Sequence, residues 1–264
     1  MIIIGEKINA THARIKKIIQ DRDANQLLDL AKKQADNGAD FIDVNVGTGV
    51  GAREEEIQAM QWAIETIQRE VEIPLCIDSA DPDVMEAGLI IRNGKPAMIN
   101  STKADERSLE RYIPLAREYG SPLVALTMDG NGIPHTVQDR LYACEKVAAA
   151  CDRYGFSIES VYFDPLVMPI STGVHHGLVT LRTVTEINKE FPNARTVLGI
   201  SNISFGLPER SRLNVAFLHT AVYAGVDAAL LDPLDGHLMA EVNTAEVLAG
   251  KDRHCRRYTR AFRE

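Results

Sequence analysis

Four short apolar runs each end in a small polar residue. Leu75-Cys76-Ile77 is followed by Asp78, Ala97-Met98-Ile99 by Asn100, and Val161-Tyr162-Phe163 by Asp164. Val197-Leu198-Gly199-Ile200 is followed by Ser201-Asn202. A further run, Phe41 to Val46, carries Asp43 and Asn45, and the first run of the chain leads to Glu6 and Asn9. An ionised Asp accepts two parallel hydrogen bonds from a planar N–H/NH₂ edge. A 2-amino-4-oxo-pyrimidine ring, as in a pterin, presents such an edge, and an Asn matches the donor–acceptor pattern next to it. A sugar or a metal ion is held by the same groups, and composition does not separate these ligands. Asp and Asn also open loops and cap helices. That is the ordinary reading of any one of these residues and a weaker reading of all four together.

The elements that must position these residues alternate along the chain. Eight apolar runs read as strands: Ile2–Ile4, Phe41–Val46, Leu75–Ile77, Ala97–Ile99, Leu123–Leu126, Val161–Phe163, Val197–Ile200 and Ala228–Leu231. Between them lie segments with a helical period, such as Ile57, Met60, Ile64, Ile67 and Val71, or Cys144, Val147, Ala148 and Cys151. Gly38 and Gly120 stand where helices should stop before a strand. Eight such repeats in 264 residues fit an α/β fold, a single (β/α)₈ barrel of the TIM type. A doubly wound open sheet is the other architecture, but no G-x-G-x-x-G follows any run, so its dinucleotide-binding version lacks support. In a barrel the polar strand ends converge on one mouth. No linker or composition break divides residues 1–264, which predicts one domain, with residues 251–264 a charged tail or surface helix.

Charge and cysteine usage narrow the surroundings. Lys and Arg number 29 against 37 Asp and Glu, a formal net charge of −8. This argues against nucleic acid or an anionic membrane as the main partner. No run approaches the roughly 18 apolar residues of a membrane span. The opening residues lack the basic and apolar regions of a signal peptide. Cys144 and Cys151 sit about 10.5 Å apart along a helix axis, too far for a disulfide. All four cysteines read as reduced thiols, which suits a cytoplasmic protein.

The segments GEKIN, DVNVG, IDS, MINST, FDPL and VLGISN occur in this order between Ile2 and about Pro233. Together they resemble the pterin-binding methyltransferases, which include methyltetrahydrofolate:corrinoid protein methyltransferases and the folate module of cobalamin-dependent methionine synthase. The resemblance implies a (β/α)₈ barrel, a homodimer, binding tetrahydrofolate or methyltetrahydrofolate as substrate in its mouth. It implies methyl transfer between N5 of the folate and the cobalt of a corrinoid carried by a separate corrinoid protein. By the same resemblance Asp78, Asn100 and Asp164 hold the pterin ring and Asn202 reaches N5. Asp43, the second catalytic candidate, and Ser201 form an outer hydrogen-bonding shell that would relay a proton from solvent toward N5, Gly199 brings backbone close to the pterin, and Arg210 is a rim residue facing the corrinoid. A neutral Asn suits N5, because its carbonyl accepts from N5–H⁺ and its NH₂ donates to a free lone pair. The SFGLPE loop is more apolar than the resemblance predicts for enzymes of carbon monoxide metabolism.

Dihydropteroate synthase is the nearest alternative function, and a non-catalytic folate-binding barrel is another. The synthase family continues its second strand with Ser-Thr-Arg-Pro, where this chain has Gly47-Thr48-Gly49-Val50. It also holds a diphosphate leaving group with a Lys after strand seven and a late Arg-x-His. Here Asn202 takes the first position and Arg253-His254 does not reproduce the second. A pyrophosphate leaving group requires a cationic cradle. Asp235 to Ala240 imitates the cobalamin motif D-x-H-x-x-G, but too few residues follow for a cobalamin domain. His175-His176 reads as a helix start, since neighbouring helical residues face different directions. The arginines between 253 and 263 read as a solvated face. No spacing of Cys, His and carboxylates predicts a tightly bound metal.

Overall fold

The computed structural model describes residues 1–49 and 52–263. Val50, the last residue of the Gly47–Val50 continuation, and Glu264 of the predicted tail lie outside them. Eight strands, β1 (Ile2–Asn9), β2 (Phe41–Asn45), β3 (Leu75–Asp78), β4 (Ala97–Thr102), β5 (Leu123–Leu126), β6 (Val161–Asp164), β7 (Arg195–Gly199) and β8 (Ala228–Leu231), pair in sequence order. All neighbours are parallel, and β8 returns to pair with β1, closing the barrel. The expected (β/α)₈ architecture is therefore the observed one.

Helices α1 (Ala13–Gln20), α2 (Ala24–Asp36), α3 (Arg53–Gln68), α4 (Pro82–Ile91) and α5 (Glu106–Glu118) wrap its first half. Helices α6 (Val137–Tyr154), α7 (His176–Glu190), α8 (Arg210–Ala224) and α9 (Gly236–Leu248) wrap the second, and α10 (Arg256–Phe262) follows. Local chemistry sets their ends. The side chains of Asp23, Asp81, Asp105, Thr136 and Asp235 accept from backbone N–H groups in the first turns of α2, α4, α5, α6 and α9. Asp235 of the cobalamin-like segment is thus a helix cap. His175 precedes α7 and His176 opens it. Gly38 and Gly120 take φ of +89° and +59°, the left-handed turn that releases the chain from a helix.

The strand period decides what lies inside. Ile4, Cys76, Met98, Val124, Tyr162, Val197 and Ala228 form one buried cluster filling the barrel. Alternate residues face outward to the helices, as Ile42, Ile77, Ile99 and Phe163 do. Two residues beyond the interior cluster, on the same face of each strand, stand Glu6, Asp78, Asn100, Leu126, Asp164 and Gly199. The polar residues of the mouth thus continue an apolar column upward.

The tail lies at the other end. Lys251 Nζ donates to the Val226 carbonyl, 2.9 Å away and just before β8 begins. Glu246 of α9 accepts from the Met1 ammonium at 2.5 Å and from Arg257 at 2.7 Å. Met1 and the segment that follows α9 are therefore tied at the amino end of the strands, away from the mouth.

Candidate active site

Three adjacent strands bring Asn45, Asp78 and Asn100 level, since Asn45 pairs in register with Asp78 and Asp78 with Asn100. Asn45 Nδ2 donates to Asp78 Oδ2 at 2.9 Å. One step lower, Asp43 is level with Cys76 and is buried in the barrel interior, 2% exposed. It accepts from Asn100 Nδ2 at 3.0 Å. The amide of Asn100 therefore rests on a carboxyl beneath it, which fixes the orientation that Asn100 presents to the mouth.

The electrostatics follow from burial. Burial, together with the charge of Asp78, pushes the Asp43 carboxyl well above the usual carboxylate range. Burial raises Asp78 to about 6 against the hydrogen bond from Asn45, and the charge of Glu56 adds to the rise. Asp164 on β6 is likewise raised by burial to about 6, opposed by the Leu166 N–H and by Arg140. Leu166 N reaches Asp164 Oδ1 at 2.8 Å, and Leu166 itself takes a φ of +63°. Among the described residues the second oxygen of Asp164 and one of Asp78 accept no hydrogen bond from the protein, so each offers an acceptor to a ligand.

Across the mouth, β7 runs into a 3₁₀ turn, Ile200–Ser204, that carries Ser201 and Asn202. A Cβ added at Gly199 would stand 2.9 Å from Asn202 Nδ2, so the glycine makes room for that amide. Asn202 is exposed. Ser201 Oγ donates to Glu6 Oε2 at 2.9 Å, and burial raises the Glu6 carboxyl. Arg210, the first residue of α8, donates to Ser201 O at 2.8 Å and to Ser204 Oγ at 3.0 Å. It braces the turn that holds Asn202. Lys7 Nζ pairs with Asp232 at 2.8 Å.

The barrel thus gathers Asp43, Asp78, Asn100, Asp164, Gly199, Ser201 and Asn202 at its carboxyl end, with Arg210 at the rim. It does not join Asp43 and Ser201 directly: Asp43 bonds to Asn100, and Ser201 bonds to Glu6. Sequence reading noted Glu6 and Asn45 without giving either a role. It missed Arg140, Lys7 and Asp232. From the sequence alone Glu56 reads as an ordinary surface carboxylate. Glu56 is half-buried, accepts from Ser79 Oγ at 3.3 Å and acts on Asp78. Among the described residues, no group of three or more His, Cys, Asp and Glu is arranged to hold a metal ion, and no helix is long and apolar enough to cross a membrane.

A model of pterin binding enzymes matches residues 5–232, the span that contains all of this mouth. The chain belongs to the pterin binding enzyme family. Its relatives include the methylcorrinoid:tetrahydrofolate methyltransferase of Eubacterium limosum, 35% identical over 100% of this chain and 97% of that protein. The methionine synthase of Mycobacterium tuberculosis is 30% identical over 88% of this chain, which spans only 20% of that protein's length. Among solved structures, the dihydropteroate synthase of Coxiella burnetii bound to pteroic acid superposes with a TM-score of 0.73. It covers 95% of this chain and 94% of its own at 16% identity, a likeness of fold alone. Within this pterin-binding barrel, Arg253 and His254 belong to the tail at the amino end of the strands. They are not part of the mouth, where a synthase would need its diphosphate cradle.

Proposed function

We propose that this chain transfers a methyl group between N5 of tetrahydrofolate and the cobalt of a corrinoid carried by a separate protein. The observation that carries the reading is whole-length similarity to a methylcorrinoid:tetrahydrofolate methyltransferase. The amide of Asn202, placed where a synthase has a lysine, agrees with it. Asp164 and Asp78 accept from the N3–H and 2-amino edge of the pterin, and Asn100, held by Asp43, completes that edge. Asn202 meets N5, and Gly199 lets that meeting be close. Arg210 keeps the turn in shape and faces the incoming corrinoid.

When methyl moves to tetrahydrofolate, the N5 lone pair forms the new C–N bond and the cobalt–carbon pair stays on cobalt. The hydrogen on N5 then leaves as a proton. The Asn202 carbonyl accepts a hydrogen bond from that N–H as positive charge builds. In the reverse direction the same amide holds N5–H⁺ while a poor leaving group departs. The remaining work is positioning, since two large substrates must meet with N5 and cobalt in line.

The whole chain acts as one catalytic unit, homodimeric and cytoplasmic, with no corrinoid or zinc of its own. Light scattering and elemental analysis check the subunit number and metal content; cobalt or zinc near one per chain would contradict it. The decisive experiment mixes the purified chain, tetrahydrofolate and a methylated corrinoid protein. Appearance of methyltetrahydrofolate with loss of methylcobalt absorbance supports the reading. Condensation of p-aminobenzoate with a pterin diphosphate would instead make the chain a synthase. Folate binding without turnover on any methylcorrinoid would make it a binding barrel.

A further inference from the structure

Arg140 of α6 is the largest fully buried side chain that carries a charge, 1% exposed. A buried guanidinium without a carboxylate partner is costly, and such groups persist where hydrogen bonds occupy them. No carboxylate lies within ion-pair distance of Arg140 among the salt bridges of the described residues. Its partners are neutral. Nε donates to the Pro134 carbonyl at 3.1 Å, and Nη1 donates to the carbonyls of Pro165 and Leu166 and to Thr180 Oγ1 at 3.3 Å. Thr180 Oγ1 in turn donates to Leu166 O at 3.2 Å.

The Nη1 contacts converge on Pro165 and Leu166, the two residues that follow β6. Leu166 is held from both sides: its N–H is on Asp164 Oδ1, and its carbonyl is under Arg140 and Thr180. Its φ of +63° is one that a branched-chain residue adopts only under such restraint. We propose that Arg140 is a positioning residue for folate recognition: it locks the Asp164-Pro165-Leu166 turn and supplies the buried positive charge that keeps Asp164 an acceptor. This rests on the reading that Asp164 binds the pterin edge.

The surroundings leave Arg140 as the charged group acting on Asp164. From β5, Leu126 is level with it, and the Thr127 N–H donates to its carbonyl. On β7, Thr196 is level with Phe163. From α7 come Thr180 and, farther along the connection, His176, which bonds to the Pro169 carbonyl. The charge of Arg140 draws the Asp164 carboxyl downward, against burial, and Asp164 supports the cation in return.

The test measures tetrahydrofolate affinity of Arg140→Met, Arg140→Lys, Asp164→Asn and the exposed control Glu145→Gln at about pH 6 and about pH 8. Arg140→Met should lose several-fold more affinity at the lower pH than at the higher, because removing the cation raises the Asp164 carboxyl and leaves less of it ionised there. Arg140→Lys keeps the charge but not the fork of hydrogen bonds. It should bind more weakly at both pH values while keeping the wild-type pH profile. A purely structural role would lower the melting temperature without moving the pH profile. Arg140→Met with a wild-type profile, alongside a weakened Asp164→Asn, overturns the inference and leaves the pterin reading standing. An Asp164→Asn that binds like Glu145→Gln overturns the pterin reading itself. Should Arg140→Met not fold, Arg140→Lys with Thr180→Val decides: wild-type affinity in both refutes the turn as a determinant of binding.

Discussion

In the proposed reaction Asn202 responds to a change of charge on N5, so its share belongs to the transition state more than to binding. Asn202→Ala should slow methyl transfer ~10²–10³-fold, by analogy with the loss of an oxyanion donor. It should weaken folate binding less than Asp164→Asn does. Single-turnover kinetics at saturating folate separate the two, and near wild-type rates would remove Asn202 from the chemistry. Gly199→Ala tests the same amide from the neighbouring side, since its new Cβ would lie 2.9 Å from Nδ2 and displace it. It should reproduce most of the rate loss while leaving the fold intact. Glu56 offers a third residue-level test. Its charge raises the Asp78 carboxyl, so Glu56→Gln lowers it. In the proposed binding mode a carboxylate at Asp78 is the form that accepts from the pterin edge. Folate affinity should fall in wild type as pH drops below about 6, and should therefore persist to lower pH in Glu56→Gln. Titrations across that range show the displacement, and an unchanged profile would uncouple the two groups.

At the scale of elements, the strands were legible because their apolar runs are short, bounded and eight in number. Leu123–Leu126 and Ala228–Leu231 coincide with the observed strands, and β1 extends five residues beyond its apolar start. That extension carries Glu6 and Lys7, polar residues that an apolar-run argument stops short of. Residues at strand ends were legible as well, since strand geometry alone sends Asp78, Asn100 and Asp164 to one mouth. Pairings across the chain were not. Nothing local connects Ser201 with Glu6, 195 positions away, or Arg140 with the turn after β6. Arg140 sits on a helix whose polar residues ordinarily face solvent, and only the closed barrel shows what it covers. Glu56 failed in the same way: α3 opens with three glutamates, and the third turns toward Ser79 and Asp78. Close packing between elements is equally tertiary. A Cβ at Gly88 of α4 would meet Ile64, Ile77 and Met60, each at 3.1 Å. Gly88→Val should overpack the α3–α4–β3 contact and cost about 1–3 kcal/mol, measured by urea unfolding.

Over the whole molecule, two sets of carboxyls respond to pH in opposite directions. Asp23, Asp129 and Asp252 accept backbone hydrogen bonds that hold them below the usual range. The stability they add is lost as pH falls through those lowered values. Glu6, Asp43, Asp78 and Asp164 are raised by burial, so the folded mouth prefers them protonated. Their cost is absent below the unfolded value, grows as pH rises, and is complete above the folded value. The ligand-free protein therefore carries a mouth that destabilises it at neutral pH, a cost that the donor-rich edge of the proposed pterin ligand would offset. Asp164 gives the cleanest measure, because its folded value of about 6 stands roughly two units above the ordinary 3.8. Two units correspond to up to about 3 kcal/mol above pH 6. Asp164→Asn keeps an oxygen for the Leu166 N–H and removes the buried charge. It should make the ligand-free protein more stable at pH 8 while weakening tetrahydrofolate binding about tenfold to a hundredfold, the effect of one unmade buried hydrogen bond. The gain should shrink below pH 6 and disappear only below the ordinary 3.8, where the wild-type carboxyl is neutral in both states. Urea unfolding at pH 8 and at pH 5, without ligand, reads the difference directly. A variant less stable than wild type at pH 8 would mean that Arg140 and Leu166 gain more from the ionised Asp164 than burial takes away.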